Sequence, residues 1–402
     1  MNIKKSLKKN LLIYKLVYRY RSFLQNHQIR AEQKLYKQLA KAQGIPIEEE
    51  SPEMVFSRLK RRLAQRNISW PPEPKGRPLH ILYVSVPGNW ERHNIPPELS
   101  ELGEVTCFFL DEQDIRLDQG WAAVRTEVDS KLPSFVKTLH HEKPIDMMLS
   151  YLSGSQISSS TIHQLNMLGI PTFSFHWDDI KSFKGIKHGD QWSGPFAVCK
   201  AYDLNLTNSP ESLVKYRVEG ANALFWPEGG NPDFFRPLNI PFEYDVTFCG
   251  QRYGQRPLLV DYLRRRGIRV DCFGDEWEHG YQTDDALVRI FNQSRINLGF
   301  GYVNESTEQC LKGRDFEIPS CGAVYLTSYN DNLERVYALD KEIETYLDYG
   351  DCAHKIRALL EQPERCHRIR QAARLSVIER HSWSKRVQQL LLSTGYLFHK
   401  PK

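Results

Sequence analysis

Along most of this chain, short and nearly continuous apolar runs alternate with stretches of helical period. The runs are LHILYVSVP from Leu79, VTCFFL, IDMMLSYL, IPTFSFHW, YDLNLTNS and ANALFWPEG, then YDVTFCG from Tyr244, IRVDCFG, RINLGFG and the run ending SCGAVYLT. Runs of four to eight apolar residues bounded by Gly, Pro or Asn are strands buried on both faces. Their alternation with helices predicts βαβ units and parallel sheets. The series breaks at NPDFFRPLNIPFE and begins again, so we expect an α/β chain of two Rossmann-like, doubly wound lobes.

The expected organisation is a basic helical extension over residues 1–70, a first lobe over 77–227, a connection over 228–243, a second lobe over 244–383 and a last helix over 384–402. The proline-rich stretch SWPPEPKGRP marks the first boundary, because proline fixes φ and removes donors. In the extension, Leu12, Leu16, Tyr20 and Phe23 fall on one helical stripe among Lys and Arg. Such a stripe fits an interfacial helix on anionic lipid, and it equally fits a helix packed on the protein body or on a partner chain.

Composition narrows the class. The 402 residues are 41% hydrophobic and 26% charged, which is the balance of a chain that buries cores. The net charge is +5 and its basic excess sits in MNIKKSLKKNLLIYKLVYRYR. No RNP, KH or zinc-finger pattern accompanies it, so nucleic-acid binding is not expected. Eight cysteines occur without a CxxC or CxxH pair, which argues against structural zinc and a disulfide framework and for a reducing cytoplasm. No apolar stretch nears the ~20 residues that span a bilayer, and no signal-peptide pattern opens the chain.

Candidate chemistry gathers at strand ends, where open α/β sheets bind ligands. In FCGQRYGQRP, Gly250 and Gly254 allow close backbone approach, and Arg252 or Arg256 can meet an anion at a helix start. The motif is neither GxGxxG nor a P-loop, and ordinary strand-to-helix punctuation fits it as well. KGRDFEIPSCGAVYLT adds Lys312, Arg314, Asp315 and Glu317 before a glycine turn. Lysine and arginine would neutralise a diphosphate, and a carboxylate, here Glu317, can take both hydroxyls of a ribose diol. The same spacing fits a solvated helix face with an Arg314–Glu317 pair. In FHWDDIKSF, His176, Asp178 and Asp179 are candidates to position or deprotonate a hydroxyl; a helix cap with a lysine partner fits equally. WPEGGNPDFF has the composition of a hinge, with Glu228 and Asn231 as its polar residues.

YDVTFCGQRYGQR, SRINLGFG, LKGRDFEIPSCGAVYLTSY and ERHSWSKRV, in that order, resemble the glycosyltransferase-like family named after the spore maturation protein CgeB. The resemblance covers about residues 77 to 395 and is most specific in K-G-R-D-F-E with its following C-G. It implies the GT-B fold, with a nucleotide-sugar donor on the second lobe and a glycan or lipid-linked glycan acceptor on the first. It also implies transfer without a metal or other cofactor, with cell-surface glycan or polysaccharide assembly as the expected setting. Separately, the charge and periodicity of the first helix suit an enzyme working on a lipid-linked acceptor at the cytoplasmic face of the membrane, with contact through residues 1–40. By this resemblance Lys312 and Arg314 meet the diphosphate, Glu317 the ribose, and Arg252 or Arg256 the phosphates from the facing loop. Related retaining enzymes place a glutamate eight positions before Glu317; here that position is Gln309, with Glu308 beside it. A retaining course is the first expectation; an inverting one needs a base, for which Asp178, Asp179 or His93 are candidates. An inactive scaffold of the same fold, or a nucleotide-sugar epimerase, are the alternatives.

Overall fold

The computed structural model describes residues 11–71, 77–86 and 89–393. The lysines of residues 4–9, the middle of the proline-rich linker and the last turn expected near Tyr396 lie outside the described residues. The chain divides into two compact units. One takes residues up to Arg30 with Glu228–Ser382, the other Ala31–Pro227 with the chain from Trp383.

In chain order the elements are α1 (Leu11–Gln43), α2 (Pro52–Ala64), β1 (Leu79–Ser85), α3 (Asn89–Ser100), β2 (Gly103–Phe109), α4 (Trp121–Glu142), β3 (Met147–Tyr151), α5 (Ser159–Met167), β4 (Thr172–His176), α6 (Asp179–Ser182), a small hairpin of β5 (Lys187–His188) and β6 (Gln191–Trp192), β7 (Leu204–Thr207), α7 (Leu213–Val218) and β8 (Ala223–Phe225). The larger sheet runs β2-β1-β3-β4-β7-β8 with every pair parallel. All seven residues of β1 are buried, as a parallel strand covered on both faces requires. Strand order reverses between β1 and β3, so the loops after these strands open a crevice at the sheet's carboxyl edge.

Two helices close one side of this sheet. Val55, Phe56, Leu59 and Leu63 of α2 have the i, i+1, i+4, i+8 spacing of a core-facing stripe and join Trp70, Phe173 and Leu204 in one core. The last helix, α14, repeats the device with Trp383, Val387, Leu390 and Leu391 in the same core. The second half of α1 is tied down by a wholly buried Lys215, whose Nζ lies 2.7 Å from Glu32 Oε1, and by Tyr36 edge-on to Phe183.

The other unit contains β9 (Tyr244–Cys249), α8 (Arg256–Arg264), β10 (Asp271–Phe273), α9 (Asp284–Gln293), β11 (Ser294–Leu298), α10 (Arg314–Ser320), β12 (Tyr325–Ser328), α11 (Asp331–Glu334), β13 (Glu344–Tyr346), α12 (Tyr349–Leu360) and α13 (Pro363–Ser376); α14 (Trp383–Ser393) then belongs to the unit of β1–β8. Its parallel sheet runs β10-β9-β11-β12-β13, with the reversal between β9 and β11. Val246, Phe248, Leu259, Leu263, Ile296 and Leu326 lie in its core.

The apolar stripe of α1 does not face the body. Leu12, Leu16, Tyr20 and Phe23 are 76%, 66%, 67% and 66% exposed. The opposite side, bearing Tyr14, Gln25 and Asn26, makes the contacts.

Candidate functional site

The K-G-R-D-F-E segment makes the turn into α10, and its own aspartate builds that turn. Asp315, 1% exposed, accepts from the Lys312 backbone N–H at 2.7 Å and from the Tyr325 hydroxyl at 2.6 Å. Burial raises its carboxyl to about 6. Lys312 is therefore held at its backbone by Asp315, three residues on, which a tyrosine of β12 holds in turn. Arg314 forms an ion pair with Glu317, the i, i+3 pair that the spacing allows. Glu317 is buried, while the Arg314 side chain keeps 31% of its surface exposed and lies 5.5 Å over the Phe291 ring. Glu228, also buried, joins the group: a β-carbon placed on Gly313 would stand 3.3 Å from a carboxylate oxygen of Glu228 and of Glu317. Thus Glu228 and Glu317 stand against the glycine that separates Lys312 from Arg314 in the chain.

The glycine loop after β9 is compact. Gly254 has φ +60, and a β-carbon there would lie 2.7 Å from the Asn304 carbonyl oxygen, so both the backbone and the space require glycine. Arg252 places its guanidinium 5.4 Å from the rings of Tyr14 and Trp277. Arg256 donates to the Gln251 carbonyl at 2.9 Å and packs 4.0 Å from the Tyr253 ring. Both expected phosphate ligands are thus engaged by their own loop and by α1. Gln309 is fixed from both ends of its amide, donating to the Tyr329 carbonyl at 2.9 Å and accepting from Ser328 Oγ at 2.6 Å.

Sequence reasoning did not anticipate that α1 holds this loop and the loop after β11. The Tyr14 hydroxyl donates to the Gly254 carbonyl at 2.9 Å. The Glu305 N–H donates to Gln25 Oε1 at 3.1 Å and the Thr307 N–H to Asn26 Oδ1 at 2.9 Å. Arg21 adds an ion pair to Glu305 at 3.1 Å.

In the other unit, His176 ends β4 and Asp178 and Asp179 follow it, but the three differ in environment. Asp179 is fully buried and accepts from the Thr207 hydroxyl at 2.9 Å and the Tyr216 hydroxyl at 2.7 Å; desolvation lifts its carboxyl to about 6. Both oxygens are therefore committed to β7 and α7. Asp178 sits at φ 58 and its side chain makes no cap to α6; its backbone carbonyl accepts from Ser182 Oγ at 2.8 Å. His176 is 4% exposed, and desolvation lowers its imidazole to about 3, so it is neutral near pH 7. His93 is exposed. Among the described residues no helix is long and apolar enough to cross a membrane.

Residues 255–392 match a family described as glycosyl transferase-like. No curated protein matches the chain. Among solved structures, the sucrose-phosphate synthase of Thermosynechococcus elongatus is similar at a TM-score of 0.54 and 12% identity, over 78% of this chain and 97% of that one. A glycosyltransferase from Rickettsia africae gives 0.52 and 14%, over 79% and 98%. Anabaena HepE in complex with UDP-glucose gives 0.51 and 12%, over 79% and 100%. The chain has the GT-B glycosyltransferase fold.

Proposed function

We propose that this chain is a glycosyltransferase that moves a sugar from a nucleoside-diphosphate donor to a hydroxyl of a glycan or lipid-linked glycan. The observation that carries this reading is the cluster at Gly313, where Glu228 and the Arg314–Glu317 pair meet beside Lys312 in the chain. Two cations beside a buried carboxylate offer what a nucleotide sugar presents: a diphosphate to neutralise and a ribose diol to accept from. In this reading Lys312 and Arg314 stabilise the leaving diphosphate without a metal or other cofactor, and Glu317 receives the ribose. Gly250, Arg252 and Arg256 serve the phosphates from the loop after β9, and Gln309 holds the strand ends beside them. UDP-sugars are the first donors to try, since a structure of the same fold carries UDP-glucose.

We favour a retaining course; an inverting one would fall to Asp178 or His93, since Asp179 and His176 are poorly suited. The acceptor oxygen bonds to the anomeric carbon as the carbon–phosphate oxygen bond breaks, and its proton passes to the departing phosphate. No side-chain base is needed. Asp179 already spends both oxygens on hydroxyl donors, and an imidazole held near 3 is a poor base at neutral pH.

Cell-surface polysaccharide assembly at the cytoplasmic face of a membrane is the setting we propose, in line with the CgeB-like K-G-R-D-F-E run. Its support is α1. The stripe Leu12, Leu16, Tyr20 and Phe23 is exposed, eight Lys and Arg precede the first carboxylate at Glu32, and the whole chain carries only +5. Exposed apolar side chains within such a run match anionic lipid. The reading is tested by incubating the protein with UDP-, GDP-, CDP-, ADP- and dTDP-sugars and a cell-envelope glycan fraction. Acceptor-dependent release of one nucleoside diphosphate is the expected result; no release from any donor counts against it.

A further inference from the structure

In the unit holding β1–β8, a cavity of about 270 Å³ opens at the carboxyl edge of the sheet. It lies at the reversal between β1 and β3: Val86 follows β1, Tyr151–Gln156 end and follow β3, and His176 and Trp177 end and follow β4. A doubly wound sheet binds its ligand at such a switch point. None of the described residues lining this cavity is charged. Ser153, Ser155, Ser182, Ser193 and Gln156 supply hydroxyls and an amide, and Tyr151 and Trp177 supply rings.

These groups are held in place before any ligand arrives. Tyr151 stacks on Phe175 at 5.0 Å with the planes 6° apart, and Trp177 stacks on Trp226 at 6.4 Å and 14°. Gln156 Oε1 accepts from the Ser153 backbone N–H at 2.9 Å and from its hydroxyl at 3.0 Å. That fixes the orientation of the amide and leaves both Nε2 protons to be donated elsewhere. Ser153 Oγ also contacts Ser155 Oγ at 3.0 Å and the Ser193 carbonyl at 2.9 Å, which ties the loop after β3 to the segment after β6. His176 Nε2 and Trp177 Nε1 are buried without a hydrogen-bond partner, although buried polar atoms ordinarily have one. Both atoms belong to residues that line the cavity, where a ligand can supply the missing partner.

We infer that this cavity is a subsite for one uncharged pyranose ring, the ring of the acceptor that carries or neighbours the attacking hydroxyl. Rigid aromatic faces suit the C–H face of a sugar, and neutral donors and acceptors suit its hydroxyls. A phosphorylated or uronic ring would bring a charge here with no counter-charge to meet it. The assignment rests on the glycosyltransferase reading for the word acceptor; the sugar-binding chemistry stands on the cavity itself.

The test is saturation-transfer NMR on the full chain with methyl glucoside, methyl galactoside and methyl mannoside on the order of 10 mM, weak binding being usual for so small a ligand. Glucose 6-phosphate and glucuronate are the charged counterparts, and UDP calorimetry is run on the same samples. Transfer to the ring protons of at least one methyl glycoside is expected, with the charged sugars bound at least tenfold more weakly. Gln156→Glu keeps an oxygen for Ser153 but removes both N–H donors, so it should weaken binding about tenfold without moving the melting temperature; Trp177→Phe should keep most of it. No transfer from any glycoside, equal transfer in Gln156→Glu, or tighter binding of a charged sugar each overturns the inference. UDP bound without any glycoside removes the subsite and leaves the donor reading intact. A glycoside bound without any nucleotide does the reverse.

Discussion

The carboxylates of Glu228 and Glu317 meet over one α-carbon: a side-chain oxygen of each lies 3.3 Å from where a β-carbon on Gly313 would stand. The two acids are 89 residues apart in the chain and both are buried, and Gly313, having no side chain, leaves room for both beside it. With Arg314 on Glu317, the segment holds cation and carboxylate together by leaving out one methyl group.

Gly313→Ala therefore presses on both acids at once. A contact of this length is relieved by a few tenths of an ångström, so the expected stability loss is about 1 kcal/mol. The larger effect falls on the site: nucleoside-diphosphate affinity should drop about tenfold, read by calorimetry beside a thermal melt. Full affinity in Gly313→Ala would separate this glycine from the donor.

Tyr14→Phe removes the hydroxyl that holds the Gly254 carbonyl and keeps the ring beside Arg252. The expected cost is about 1 kcal/mol. If α1 sets the shape of the glycine loop, most of that cost appears as a several-fold rise in donor KM with kcat little changed. An unchanged KM would limit Tyr14 to stability.

The first helix gives a separate test. Full-length protein should cosediment with vesicles containing phosphatidylglycerol and not with pure phosphatidylcholine. Leu16→Ser with Phe23→Ser should lower binding at least fivefold while the melt is unchanged, because both side chains are two-thirds exposed. Equal binding by the double variant would rule out the stripe.

Asp179 and Asp315 give stability a pH slope of known sign. Each carboxyl is raised from 3.8 to about 6 by burial, so between pH 4 and 6 the folded chain holds more protons than the unfolded one. Stability contributed by these groups is present below pH 4 and falls as pH rises to 6, by about 1–3 kcal/mol each. His176 acts oppositely: lowered from 6.5 to about 3, it favours folding above pH 6.5 and loses that contribution as pH falls. Asp179→Asn should flatten the first slope in denaturant midpoints measured from pH 4 to 7, and an unchanged profile would contradict the assignment.

The fold was legible because parallel strands are buried on both faces, so LHILYVS and YDVTFC read as apolar runs whatever packs on them. The face of α1 was not: the stripe is equally regular whether it meets a core or water, and only Tyr14, Gln25 and Asn26 on the other side, paired with residues some 240 to 281 positions away, decide it. The two-residue strands of the small hairpin are too short to carry a period. Around Gly313 the charges were visible in sequence, but Glu228 read as hinge composition, since its approach depends on tertiary structure. Ser153, Ser155 and Gln156 carry no signal in the sequence for the same reason: hydroxyls and amides are what turns contain.

The central claim is that the cluster around Gly313 binds a nucleoside diphosphate. Calorimetry of the full chain against UDP, GDP, CDP, ADP and dTDP, repeated with Arg314→Ala and Glu317→Gln, tests it most directly. The account predicts micromolar binding of one of the five, weakened at least tenfold in both variants. No binding of any, or binding that both variants keep, would contradict it and return the chain to a scaffold of the same fold.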